Sequence, residues 1–131
     1  DRPDRTTRLM LDGTAHLIDA FAEAPLIVFV CGSVRYPPQH PNERMTWSAL
    51  YPAAQNLIVA ARALGLGTVF TTLHQVADPV VREVLGIPEQ VRIAATIPVG
   101  WPAAKFGPVI RRPIADVIHR NRWQGDLRGD R

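Results

Sequence analysis

Between Trp47 and Leu64, the residues Leu50, Tyr51, Ala54, Leu57, Ile58 and Ala61 bring an apolar side chain back every three or four positions. That is the period of an α-helix with one buried face, sustained for nearly five turns. In a chain of 131 residues such a helix has to lie at the centre of the fold. Ser48 or Thr46 is placed to cap its start, and Gly65 supplies a left-handed stop. Pro52 lacks the N–H a helix interior requires, so it is expected in or near the first turn. Ala49, Ala53, Ala54, Ala60, Ala61 and Ala63 allow close approach on more than one side, which predicts a helix buried against two partners.

The remaining pattern is mixed. Leu17, Ile18 and Phe21 give residues 9–24 one apolar helical face, ended by Pro25. Residues 25–31 are a continuous β-branched and aromatic run, as in a central strand covered on both faces. Pro37, Pro38 and Pro41 make residues 32–45 a loop. Residues 67–73 read as a short strand or extended loop, Asp78-Pro79 opens a helix to Leu85, and Gly86-Ile87-Pro88 stops it. Residues 92–99 form a second β-rich run. Three prolines and two glycines make residues 100–113 irregular, and a short helix is expected over 113–119. The length suits one domain, residues 1–131, with residues 1–8 and 124–131 as flexible ends.

Several chemistries fail on spacing. Gly65-Leu66-Gly67 begins like a dinucleotide fingerprint, but the third glycine is absent and the segment runs from helix to strand, the reverse of what a phosphate-binding turn needs. There is no Gly-x-Ser-x-Gly elbow and no Walker loop. The four histidines, His16, His40, His74 and His119, lack partners at ligand spacing, so no metal is expected. The net charge of +3 resides in residues 111–131, where six arginines face three acids. No aromatic-interleaved basic face accompanies it, which argues against a nucleic-acid partner. No apolar run reaches the roughly 20 residues that span a bilayer, so no membrane partner is expected. A single cysteine makes no internal disulfide, and a cytoplasmic location is the expectation.

A few residues stand out as site candidates. Cys31 ends an apolar run, where a lone thiol is more often an inert core residue than a nucleophile. His74 follows the short strand in a Thr71-Thr72-Leu73-His74 turn, a place for ligand contact or for a solvent-facing imidazole. Gln55 and Asn56 either tie the long helix to a neighbour or meet a ligand. Arg111-Arg112, held extended before Pro113, form either a phosphate grip or a solvated basic pair.

Taken together, Tyr51-Pro52-Ala53-Ala54-Gln55-Asn56 with its continuation to Gly67, Val81-Arg82-Glu83-Val84-Leu85-Gly86-Ile87-Pro88, Pro98-Val99-Gly100-Trp101-Pro102, Lys105-Phe106-Gly107-Pro108 and Arg111-Arg112-Pro113 through Arg122-Trp123 resemble the nitroreductase family. The resemblance covers residues 24–123. It implies an α+β fold, an antiparallel sheet wrapped by helices, with the long helix at a homodimer interface. It implies FMN as cofactor and NAD(P)H as electron donor, serving nitroaromatic, quinone or similar acceptors by ping-pong hydride transfer. Under it, Thr71, Thr72, Leu73 and His74 lie over the flavin with backbone N–H groups at its N5/O4 edge, and Arg111 and Arg112 bind its phosphate. No catalytic side chain is required, because the flavin carries the chemistry. The family's N-terminal phosphate-binding segment has no counterpart in these residues. A flavin-sequestering, non-catalytic dimer is the alternative that this departure raises.

Overall fold

The computed structural model describes residues 4–109 and 111–123. The expected flexible ends fall outside the described residues at 1–3 and 124–131. Helix α1, Arg5–Asp19, begins within the segment expected to be flexible. The reason is a cap: the Asp4 carboxylate accepts a hydrogen bond from the Thr7 amide at 2.9 Å and satisfies one of the helix's orphan donors. A 3-10 turn, Phe21–Glu23, then leads to Pro25.

Strand β1, Leu26–Ser33, pairs antiparallel with strand β3, Val91–Gly100. Strand β2 is the dipeptide Gly67–Thr68 on the other side of β3, so the order is β1-β3-β2. The strand expected to be central is thus an edge. Its continuous apolar run has a different cause, which is that both of its faces are at least partly covered. Val28 and Val30 pack against the core, and Phe29 on the opposite face looks toward Ile18 and Phe21. The central strand is β3, seven of whose ten residues are buried. Opposite Val30 and Cys31 the register skips Ala94, a β-bulge in β3.

Helix α2, Glu43–Ala63, starts earlier than its apolar period suggested. The Asn42 side chain accepts from the Arg44 amide at 2.9 Å and caps it, while the Ser48 hydroxyl donates to the Met45 carbonyl at 2.8 Å. Pro52 therefore occupies the tenth of 21 positions, well beyond the first turn, and leaves the Ser48 carbonyl without its usual donor. Gly65, at φ +82°, ends the helix as expected. Its amide bonds Arg62 O and the Leu66 amide bonds Ala61 O, the paired closure of a Schellman motif.

One face of α2 lies on the sheet, where Ala54 meets Ala95, Ile97 and Val99 in a core of small residues. Within this chain the other face is open: Val59 is 57% and Tyr51 45% exposed. Gln55 and Asn56 lie on exposed surface and tie the helix to nothing described. The alanines therefore serve one close contact inside the chain. An ion pair from Arg92 to Glu43 fastens β3 to the start of α2.

Helix α3, Asp78–Leu85, carries Pro79 in its first turn and stops at Gly86, φ +64°. Asp78 does not cap it by side chain. Its carboxylate pairs with Arg82 at 2.6 Å, and the same guanidinium donates to the carbonyls of Pro88 and Val91, each at 3.0 Å. Arg82 thus clasps α3 to the head of β3. Of the segment expected to be irregular, Gly100 ends β3 while residues 101–109 and 111–113 are irregular, and a single 3-10 turn, Ile114–Asp116, replaces the helix expected over 113–119. The Arg62 guanidinium lies 3.4 Å from the Phe106 ring centroid, fixing this segment to the end of α2.

Candidate functional site

The turn after β2 is built from backbone outward. Thr71 bridges to Thr96 of β3, the Thr71 amide donating to Thr96 O at 3.1 Å and the Thr96 amide to Thr71 O at 2.8 Å. The Thr71 hydroxyl then accepts from the Leu73 amide at 3.1 Å, a side-chain turn that starts the 3-10 segment Leu73–Val76. Two of the four expected amide donors, Thr71 and Leu73, are therefore committed within the chain. Thr72 is exposed, and its amide finds no partner among the described residues.

His74 points the other way. Its ring is buried, 6% exposed, with Nδ1 3.0 Å from the Thr96 hydroxyl and Nε2 3.1 Å from the Ile93 carbonyl. A carbonyl only accepts, so Nε2 carries the donated proton, and Nδ1 shares a hydrogen bond with the Thr96 hydroxyl. The imidazole is not solvent-facing, and both of its ring nitrogens are engaged within the chain. Beneath the turn, Leu73, His74 and Thr96 with Ile18, Phe21 and Phe29 line a cavity of about 280 Å³.

Arg111 and Arg112 are exposed and, with Ile114 and Val117, line a separate hollow of about 410 Å³. Among the described residues, the hollow lined by Arg111 and Arg112 is distinct from the cavity lined by Leu73 and His74. A third concavity, about 530 Å³, lies between α1 and the β2 end of the sheet, where Trp101 and Phe106 form part of its wall. None of the candidates named from the sequence lines it, and irregular Pro/Gly-rich sequence carried no signal for it.

Cys31 is exposed rather than core. Partial burial nonetheless pushes its thiol up, against a smaller opposing pull from the Arg82 cation. A thiol so shifted is a poor nucleophile. Among the described residues no three His, Cys, Asp or Glu side chains gather to hold a metal ion, and no helix is long and apolar enough to cross a membrane.

Residues 4–101 match the model of the Nitroreductase family. A provisionally named NADH dehydrogenase/NAD(P)H nitroreductase of Methanothermobacter thermautotrophicus is 39% identical over 75 residues, 54% of this chain and 38% of that protein. A protein of the same name from Archaeoglobus fulgidus is 33% identical over 75 residues, 54% of this chain and 43% of that protein. The chain thus spans less than half the length of these curated relatives. Among solved structures, NfrA2 of B. megaterium superposes with a TM-score of 0.68 at 25% identity, covering 95% of this chain and 56% of that one. A similarly named nitroreductase of Parabacteroides distasonis gives 0.60 at 28% identity, covering 82% and 68%. Its α+β architecture, an antiparallel sheet with helices around it, agrees with these neighbours, and the match over residues 4–101 shows that the chain belongs to the Nitroreductase family.

Proposed function

We infer that this chain is part of an FMN-dependent oxidoreductase that takes electrons from NAD(P)H and delivers them to nitroaromatic, quinone or similar acceptors. Membership of the family over residues 4–101 is the observation that carries this reading. The relatives' names, which pair NADH dehydrogenase with NAD(P)H nitroreductase, support the donor and the class of acceptor.

The donor set fits FMN in kind. The exposed Thr72 amide at the start of a 3-10 turn suits the polar edge of the ring system, with the backbone of Thr71, Leu73 and His74 shaping the surface beside it. Arg111 and Arg112 offer planar guanidinium groups to a phosphate. Because these groups line different hollows in one chain, a site shared between two copies accounts for both. The open face of α2, with Val59 and Tyr51, supports a homodimer. FMN, when bound, would supply the redox chemistry between NAD(P)H and the acceptor. The chain's own contribution is orientation: an amide donor held outward, and guanidinium groups that anchor the phosphate.

The test is an absorption spectrum of the desalted chain with and without added FMN. Bands near about 370 and 450 nm that survive desalting support the reading, and their absence after FMN addition overturns it. Flavin binding without oxidation of NAD(P)H would favour the flavin-sequestering alternative. Arg111→Ala is expected to weaken FMN binding by about 1–3 kcal/mol through loss of a charge-assisted hydrogen bond. Flavin fluorescence quenching measures it, and unchanged affinity removes Arg111 from the site.

A further inference from the structure

Both ring nitrogens of His74 are engaged within the chain, and these contacts are more specific than packing requires. The imidazole runs from the turn back under the sheet and bonds β3 at two places: the Thr96 hydroxyl at 3.0 Å and the Ile93 carbonyl at 3.1 Å. Thr96 is 1% exposed and is the residue whose backbone bridges Thr71. Ile93 adjoins the bulge at Ala94, where the pairing with β1 loses its register. His74 therefore holds both ends of a short frame. One end is the bridge that starts the turn, and the other is the irregular stretch of β3 below it.

Between those anchors sits Thr72, whose amide alone in residues 71–73 is left unbonded. Residues 71–76 offer little other restraint. Thr72, Gln75 and Val76 are exposed, Val76 at 86%, and α3 begins only at Asp78. Without the imidazole, the turn would hang on the Thr71–Thr96 bridge and the local bonds of one 3-10 turn, a segment that opens easily.

We propose that His74 is a positioning residue: through Thr96 and Ile93 it sets the turn that presents the Thr72 amide to the flavin ring, without touching the flavin. This rests on the FMN reading above. The side chain's geometry predicts how substitutions rank. His74→Phe keeps the ring's bulk and loses both bonds. His74→Gln keeps a donor at the reach of Nε2 and so retains the bond to Ile93. Thr96→Val removes the hydroxyl bonded to Nδ1 and leaves His74 in place.

The experiment pairs hydrogen exchange of the flavin-free chain with FMN titration and the absorption spectrum of the bound flavin. In His74→Phe, the bonded amides of Thr71, Leu73 and Gln75 are expected to exchange about tenfold faster while those of α2 and the rest of β3 stay unchanged. FMN affinity should fall about tenfold and the flavin bands should move. Thr96→Val should follow in the same direction, and His74→Gln should recover most of the loss. Unchanged exchange in both His74→Phe and Thr96→Val overturns the proposal, as does faster exchange with flavin affinity and spectrum unaltered. If His74→Phe does not fold, Thr96→Val and His74→Gln decide on the same readouts. If the unaltered chain binds no FMN, the functional reading itself fails and this role falls with it. The exchange result then shows separately whether His74 holds the turn.

Discussion

Single residues show most clearly where chemistry and exposure part company. Cys31 lies at the surface of β1, yet partial burial holds its thiol in the protonated form. We expect it to react with iodoacetamide at pH 8 more slowly than free cysteine, because a raised pKa leaves less thiolate at that pH. A rate equal to or above that of the free thiol would show that Arg82 outweighs burial. The linkage has a definite sign. A thiol whose pKa is raised on folding contributes its full stability below the unfolded pKa and loses it as pH rises through the folded value, so Cys31→Ser should flatten the alkaline side of the stability curve. His74 was legible in the sequence as a residue of interest because it follows a strand in a Thr-rich turn. What sequence could not show is its direction, because the bonds that bury it come from residues 19 and 22 positions away. The same holds for Ile97, one of ten residues in β3 but fully enclosed. Ile97→Ala should cost about 2–5 kcal/mol in urea unfolding, and a loss under about 1 kcal/mol would mean that the small core collapses around the cavity.

At the level of elements, helices announced themselves by period and their boundaries did not. The repeat from Trp47 to Leu64 located α2, but its first turn carries Glu43, Arg44 and Met45, a polar start with no apolar repeat to mark it. Asn42 ends a loop rich in proline and gave no periodic signal, so the true cap and the interior position of Pro52 came only with the backbone. Strand order was misread for a related reason. An apolar run reports how many faces are covered, and β1 has both faces covered while standing at an edge. Helix α1 offers a direct test of cap against expected disorder. The Asp4 carboxyl is held below its usual value by the Thr7 amide, so its cap is fully present above the unfolded carboxylate pKa and is lost as pH falls through the lowered one. Asp4→Ala should therefore loosen the first turn of α1 near pH 7, seen as weaker protection of the Thr7 and Arg8 amides. The two chains should converge at acid pH. No difference at pH 7 would return residues 4–8 to the flexible end that composition suggested.

The whole molecule carries more surface than a chain of this mass should keep. A compact monomer of 14.5 kDa is expected to expose about 6,900 Å², whereas this chain exposes 10,959 Å². Large apolar side chains are exposed on the outer face of α2 and along the described C-terminal segment, where Val59, Trp101 and Trp123 are 57%, 78% and 81% exposed. Clustered apolar exposure marks interfaces. The alanine-rich α2 was expected to meet two partners, and the sheet provides one. A second copy provides the other in the homodimer proposed here, and it also reconciles an amide turn and an arginine pair that line different hollows in one chain. Val59 is the residue to probe. It points away from Ala54 and Ala61, so Val59→Arg should leave the sheet contact intact and the far-UV circular dichroism nearly unchanged. Sedimentation equilibrium should give about twice 14.5 kDa for the unaltered chain and a monomer for the variant. FMN affinity should fall together with dimer content, because a site divided between copies is lost when they separate. A Val59→Arg monomer that binds FMN as tightly as the unaltered chain would place the whole site within one copy and leave the open face of α2 to some other contact.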